Sequence, residues 1–224
     1  MPSTSDSDGE RRTRRNVLAG LGSAVVGSLA GCSGRIPGTG PEHVGAETTV
    51  QDGQNPEIRW RYPRREGDKD GIGYAAVEVK RVTRPEDHFP TLSLRFNSTI
   101  GGLAASDPYE GYHPDWFRFR FEPPSSYEAA ASYEARVEPP GQWDGFSAYY
   151  DLGSTVKQTV VELKNVQTQG TIFVPVVFAP SAKSIPSSLY CRFTVQASRP
   201  GFGGKTVRAS GDGNLPLDGL ASPN

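Results

Sequence analysis

The chain is poor in the residues that usually announce chemistry. Its 224 residues contain two cysteines, three histidines and one methionine. With Met1 as the only methionine, and Cys191 followed by Arg192, Phe193, Thr194 and Val195, the histidine, cysteine and axial methionine set of a blue copper centre cannot be assembled. Neither sign of charge dominates: 24 basic and 25 acidic side chains give a formal net charge of −1. The arginines are scattered among acids and form no basic block, so nucleic acid is not expected as a partner. Helical periodicity is almost absent.

What is present begins with an ordered leader. Thr13-Arg14-Arg15-Asn16-Val17-Leu18 is followed by a short apolar stretch, with Val17, Leu18, Leu21, Val25, Val26 and Leu29 among small residues, and then by Leu29-Ala30-Gly31-Cys32. The apolar stretch is too short to span a bilayer stably, which takes about 20 mainly apolar residues. Paired arginines, a short apolar region and small residues before a cysteine are the parts of an export signal in their working order. A buried N-terminal helix with a structural cysteine would leave Arg11, Arg12, Arg14 and Arg15 without a purpose. Leu-Ala-Gly-Cys resembles the lipobox of exported lipoproteins. The leader as a whole, in a chain that favours Arg over Lys and is rich in Gly and Ala, is similar to those of twin-arginine-exported surface lipoproteins of haloarchaea. The resemblance covers the leader alone. It implies export through Arg14 and Arg15, removal of residues 1–31, and lipid on Cys32 that holds the chain to the outer face of the cytoplasmic membrane. Removing that leader's four arginines and three acids leaves a charge near −2, too small to argue for a charged partner.

Lipidation of Cys32 would leave Cys191 alone, so no disulfide is expected in the mature chain. Cys191 alternates with Leu189, Phe193 and Val195 on one side of a strand pattern and reads as a core residue. Residues 32–55, rich in Gly, Pro, Ser and Thr without an apolar period, read as a flexible tether. Residues 210–224 repeat that composition and read as a disordered tail. The domain is expected over 56–209, long enough for a proper core.

Period two dominates there. Ile58, Trp60 and Tyr62 alternate with Arg59 and Arg61; Leu92, Leu94 and Phe96 with Ser93 and Arg95; Phe117, Phe119 and Phe121 with Arg118 and Arg120. With further candidates at 74–82, 146–152, 156–163, 171–178, 189–197 and 206–209, about nine short strands predict an all-β fold. The expected form is an antiparallel β-sandwich of two sheets, immunoglobulin-like in general architecture. Pro175, lacking an amide donor, is expected at an edge or a bulge. Residues 125–136, isolated by prolines, are expected as a short helix or an excursion between sheets.

Candidate sites are few. His88 beside Asp87 and His113 near Asp115 could build a metal or acid/base site if their loops meet; solvated loop histidines explain the same letters. Gly203-Gly204-Lys205-Thr206 echoes a phosphate loop, but Arg199 stands where its first glycine is needed. Asp68 and Asp70 open like a calcium loop whose closing glutamate would fall at Val79. Asn97-Ser98-Thr99 is a glycosylation sequon at the expected end of a strand. Arg59, Arg61, Arg95, Arg118, Arg120 and Arg192 occupy outward positions, with Trp116, Trp143, Tyr149, Tyr150 and Tyr190 near them in sequence. They are the candidate interface for a surface protein or glycan; the plain alternative pairs them with Glu57, Glu78 and Glu122. No catalytic, metal or cofactor residue is assigned. The expectation is a membrane-tethered binding or scaffolding domain, with a hydrolase or metal-dependent enzyme built on the His88 and His113 loops as the alternative. A two-lobed solute receptor would need more residues.

Overall fold

The alternation of large apolar side chains with arginine is realised as paired strands. In a computed structural model, residues 40–63, 71–100, 111–138, 145–151, 157–166, 170–201 and 205–220 are described. Contacts divide the chain into Met1–Thr39 and Gly40–Asn224, and all described residues belong to the second unit. The leader with Arg14, Arg15 and Cys32, the segment 64–70, Trp143, Gly203 and Gly204 lie outside the described residues.

Twelve strands run in order: β1 (Glu42–Gly45), β2 (Glu47–Gln51), β3 (Glu57–Pro63), β4 (Gly71–Thr83), β5 (Thr91–Ile100), β6 (His113–Glu122), β7 (Tyr133–Val137), β8 (Phe146–Asp151), β9 (Gln158–Lys164), β10 (Gly170–Pro180), β11 (Ser188–Ser198) and β12 (Thr206–Pro216). They form two six-stranded sheets, sheet A ordered β1-β12-β11-β6-β9-β8 and sheet B ordered β2-β3-β4-β5-β10-β7. Every pairing is antiparallel except β1 with β12. The chain is an all-β sandwich, as the pattern required.

The core lies between the sheets. Phe193 of β11 meets Trp60 at 5.0 Å and Tyr62 at 5.1 Å between ring centroids, and Phe96 stacks on Phe119 at 4.9 Å. All five rings are buried, each burial contributing about 1.5–3 kcal/mol. Cys191 is buried among them and free, and burial pushes its thiol far above its ordinary value.

Four sequence expectations need correction. Residues 42–51 are strands, so the tether does not extend to 55. These strands escaped the apolar pattern because they are sheet edges, where only Val44 turns into the core. Residues 210–216 are the second half of β12 and not tail. On its inward face stand Gly211 and Gly213, where an added Cβ would come within 2.5 Å of Trp60 and 2.7 Å of Ile58. The glycines that read as loop are the space into which those side chains pack. Residues 125–132 form successive turns, with N–H to C=O bonds from Tyr127 to Pro124, Ala130 to Tyr127 and Ser132 to Ala129 at 3.0–3.1 Å. The chain then enters β7, so the excursion from sheet A to sheet B is correct and the helix is not. Pro175 lies in β10, one strand in from the edge. The Glu138 N–H donates to its C=O at 3.0 Å. Its nitrogen faces the same side, so the proline costs only the reciprocal bond to Glu138, at the point where β7 ends.

One long side of the sandwich is closed by side chains from both sheets. The Tyr133 hydroxyl donates to Lys157 C=O at 2.5 Å and accepts from Thr159 Oγ1 at 3.1 Å. The Lys157 ammonium donates to Tyr133 C=O and sits 3.6 Å from the Tyr150 ring centroid. Burial, only partly offset by the Thr159 hydrogen bond, raises the Tyr133 phenol to about 12.

Candidate functional site

The six arginines of the candidate interface are divided between the two outer surfaces. Arg59, Arg61 and Arg95 are on sheet B, and Arg118, Arg120 and Arg192 are on sheet A. Period two correctly turned them all outward, but it carries no information about which sheet a strand joins.

On sheet B the arginines are largely absorbed by their own neighbours. Arg59 Nε donates to Glu57 Oε1 at 2.7 Å, and its guanidinium lies 5.1 Å from the Tyr74 ring. Arg95 donates to Glu78, which Lys80 also reaches at 2.8 Å. Burial alone would raise the Glu78 carboxyl, but the bonds from Arg95 and Lys80 outweigh it and hold it below its usual value. Arg95 also covers Phe173 at 5.0 Å.

Sheet A arranges its side chains differently. Across β11 and β6 the register sets Arg192 directly opposite Arg120, and Thr194 opposite Arg118. Arg192 Nη2 donates to the Tyr190 hydroxyl at 2.9 Å, which donates to Asp212 Oδ2 at 2.6 Å. Arg118 pairs with the buried Glu162 at 3.2 Å, an acid of β9 that the sequence pattern did not nominate. Glu122, expected as a partner, instead accepts from Gln158 at 3.4 Å. Trp116 has two guanidinium groups 5.5 Å from its ring, those of Arg118 and Arg208. Arg208 was absent from the sequence-derived set although Val207 and Ala209 flank it in the same alternation. Of the aromatics named with the arginines, Trp116, Tyr190 and Tyr149 stand on this face. Tyr150 points the other way and binds β7, its hydroxyl accepting from Ala135 N–H at 2.7 Å and donating to Ala135 C=O at 3.1 Å.

A register shift between Gln196 and Ala197 leaves Asp115 and Trp116 together opposite Gln196. Such a bulge re-aims a side chain. Asp115 there accepts from Ser198 Oγ at 2.6 Å and Gln196 Nε2 at 3.3 Å, and Gln196 Oε1 accepts from Arg208 at 2.8 Å. His113 Nδ1 is 3.9 Å from Asp115. The aspartate stands between serine and histidine, whereas nucleophile activation needs the histidine in the middle.

The histidine site of the alternative reading is not assembled. Asp87 and His88 occupy the β4–β5 turn, beside Leu92, whose partner Phe178 meets Phe121 at 6.2 Å. His113 opens β6 at its other end, level with Ser198. At about 3.3 Å per residue the two are roughly 25 Å apart along the sandwich. Among the described residues no group of three or more His, Cys, Asp or Glu could hold a metal ion. His43, placed in the tether by composition, is in β1 opposite Arg208.

Asn97 is also not where its sequon suggested. It lies within β5, between β4 and β10, 7% exposed, with Nδ2 3.4 Å from Glu78 Oε1. The folded sheet covers the amide that a glycan would modify.

No family model matches the sequence, and no curated protein matches it. Among solved structures the chain is similar to a cohesin module from Clostridium perfringens ATCC13124 family 33 glycoside hydrolase, with 10% identity over 65% of this chain and 96% of that one at a TM-score of 0.36. It is also similar to a pore forming protein, with 9% identity over 75% of this chain and 94% of that one at a TM-score of 0.32. Likeness at this level carries no argument about what this chain binds.

Proposed function

We propose that the chain is a haloarchaeal-type, twin-arginine-exported lipoprotein, tethered through lipid on Cys32 to the outer face of the cytoplasmic membrane, whose β-sandwich is a binding module for a surface protein. The recognition surface in this reading is the outer face of sheet A. The observation that supports it is the juxtaposition, on adjacent strands β11 and β6, of Arg192, Arg120 and Arg118 with Tyr190 and Trp116. Arg, Trp and Tyr are the side chains that dominate interface energetics, because each offers a large contact area with directional polar groups at modest entropic cost. On sheet B Arg59 and Arg95 are taken by Glu57 and Glu78, whereas on sheet A the one such pair is Arg118 with Glu162 and Arg120 stands opposite Arg192.

The test is native-salt cross-linking and co-purification from membranes with a C-terminally tagged chain. A defined surface protein should be recovered with the wild type and lost with Arg120→Ser/Arg192→Ser, and the tagged chain should leave the membrane fraction with Cys32→Ser. Recovery of a glycan on the same residues would reassign the partner class. Undiminished recovery of a partner by the arginine variants would overturn the surface.

A further inference from the structure

Among the described residues the sandwich has four edge strands, β1 and β8 in sheet A and β2 and β7 in sheet B. Natural edges are commonly blunted by lysine, proline, a bulge or a covering group, since an open row of N–H and C=O groups templates further pairing. At β7 the Tyr150 hydroxyl takes both backbone groups of Ala135. Among the described residues β2 carries no lysine, proline, bulge or covering side chain; its protection is limited to its five-residue length and the one charge of Glu47. It reads Glu47-Thr48-Thr49-Val50-Gln51, all five residues are exposed, Val50 is 51% exposed, and its register with β3 is regular from end to end. Thr and Val favour the extended backbone, so the strand is set for a second neighbour.

We infer that β2 is a homotypic edge, pairing antiparallel with β2 of a second copy of this chain about a two-fold axis at Thr49. Register favours this pairing. An isologous antiparallel pair must place one residue opposite itself. Centring on Thr49 alone pairs all five residues: Thr49 with Thr49, Thr48 with Val50, and Glu47 with Gln51. The carboxylate then meets an amide and not a second carboxylate, so no like-charge pair opposes the join. The two exposed valines lie on the same face of the joined strands, each beside a threonine methyl. The result is a continuous twelve-stranded sheet made from two copies of sheet B. It leaves the outer face of sheet A untouched, and the inference stands independently of the function proposed above. A five-residue edge buries little area and gives a weak dimer in dilute solution. Confinement at a membrane would raise its effective concentration.

The chain suits a direct test, because in a Cys32→Ser background the one remaining native thiol, Cys191, is buried. Directly opposed strand residues have Cα atoms about 4.5–5.5 Å apart, within disulfide reach. Thr49→Cys in the full chain should therefore form a disulfide-linked dimer under mild oxidation. Gln51→Cys should stay monomeric, its own copy lying roughly 13 Å away across the join. Glu47→Cys mixed with Gln51→Cys should cross-link where neither does alone. Adding Val50→Lys to Thr49→Cys should cut dimer yield at least fivefold with an unchanged circular dichroism spectrum. Equal cross-linking of Thr49→Cys and Gln51→Cys, or none in Thr49→Cys and in the Glu47→Cys with Gln51→Cys mixture, would overturn the inference.

Discussion

The two outer faces of this sandwich are written in the same alphabet and differ in what their side chains bind. Both alternate arginine with residues that fill the core, and both set aromatic rings beside guanidinium groups. On sheet B the acids Glu57 and Glu78 stand close to the arginines, and the ion pairs close locally. On sheet A one arginine, Arg118, likewise pairs with an acid, Glu162, but Arg120 and Arg192 stand opposite one another, and polar contacts run on through Tyr190, Asp212, Gln196 and Asp115. An arginine's availability is set by the groups within reach on its own strand, as Glu57 is for Arg59, and on the next, as Glu78 is for Arg95.

Removing one ring from each face should give the largest contrast between them. Trp116→Ala should weaken capture of the membrane partner by about 30-fold or more, the loss expected of an interface anchor near 2 kcal/mol. Phe173→Ala, 47% exposed in the wild type on sheet B, should leave capture within about twofold. Equal losses in quantitative co-purification would erase the distinction between the faces.

The seam where the two sheets meet gives the next largest effect. The phenol of Tyr133 has an ordinary value of 10.0 and is raised to about 12 in the fold. Between those values the unfolded chain releases a proton that the folded chain retains. The stabilisation is thus complete below pH 10 and is lost as pH rises through about 12, on the order of 1–2 kcal/mol. Urea unfolding at pH 9 and pH 11.5 should show that fall in the wild type and a shallower one in Tyr133→Phe. An identical slope in both would remove Tyr133 from the account.

The smallest effect belongs to sheet B. The folded value of Glu78 is lowered, so its contribution is present above the ordinary carboxylate value of 4.5 and is lost as pH falls through the lowered one. With Arg95 and Lys80 both partly in solvent, the amount stays below about 1 kcal/mol. Glu78→Gln should flatten the acid limb of the stability profile by that amount relative to wild type, measured by urea unfolding between pH 6 and pH 3. Full retention of the acid limb would mean that other carboxylates carry it.

The strands with a strong apolar alternation were legible from residues alone. The pattern in Phe117, Phe119 and Phe121, or in Leu189, Cys191, Phe193 and Val195, is imposed by burial of one face and survives in any sheet arrangement. Edge strands carry a weaker signal, because one buried residue, Val44, is all that β1 needs. The second half of β12 carried a misleading one: Gly211 and Gly213 are read as loop until Trp60 and Ile58 are seen occupying the room they leave. Of the candidate face, Arg118, Arg120 and Arg192 were legible together with Trp116, Tyr149 and Tyr190. Glu162, Gln196 and Arg208 could not join it without the register, since a strand's neighbours are chosen by long-range pairing.

The residues alone determined which side chains of the strongly alternating strands face inward, the all-β class that follows, and the outward direction of the six candidate arginines, because period two is a property of the extended chain. Only the tertiary structure decided which strands are neighbours. With that it decided that the arginines divide between two surfaces, that His88 and His113 end far apart, and that Asn97 is covered. Those outcomes depend on contacts between residues distant in the chain, for which local alternation contains no term.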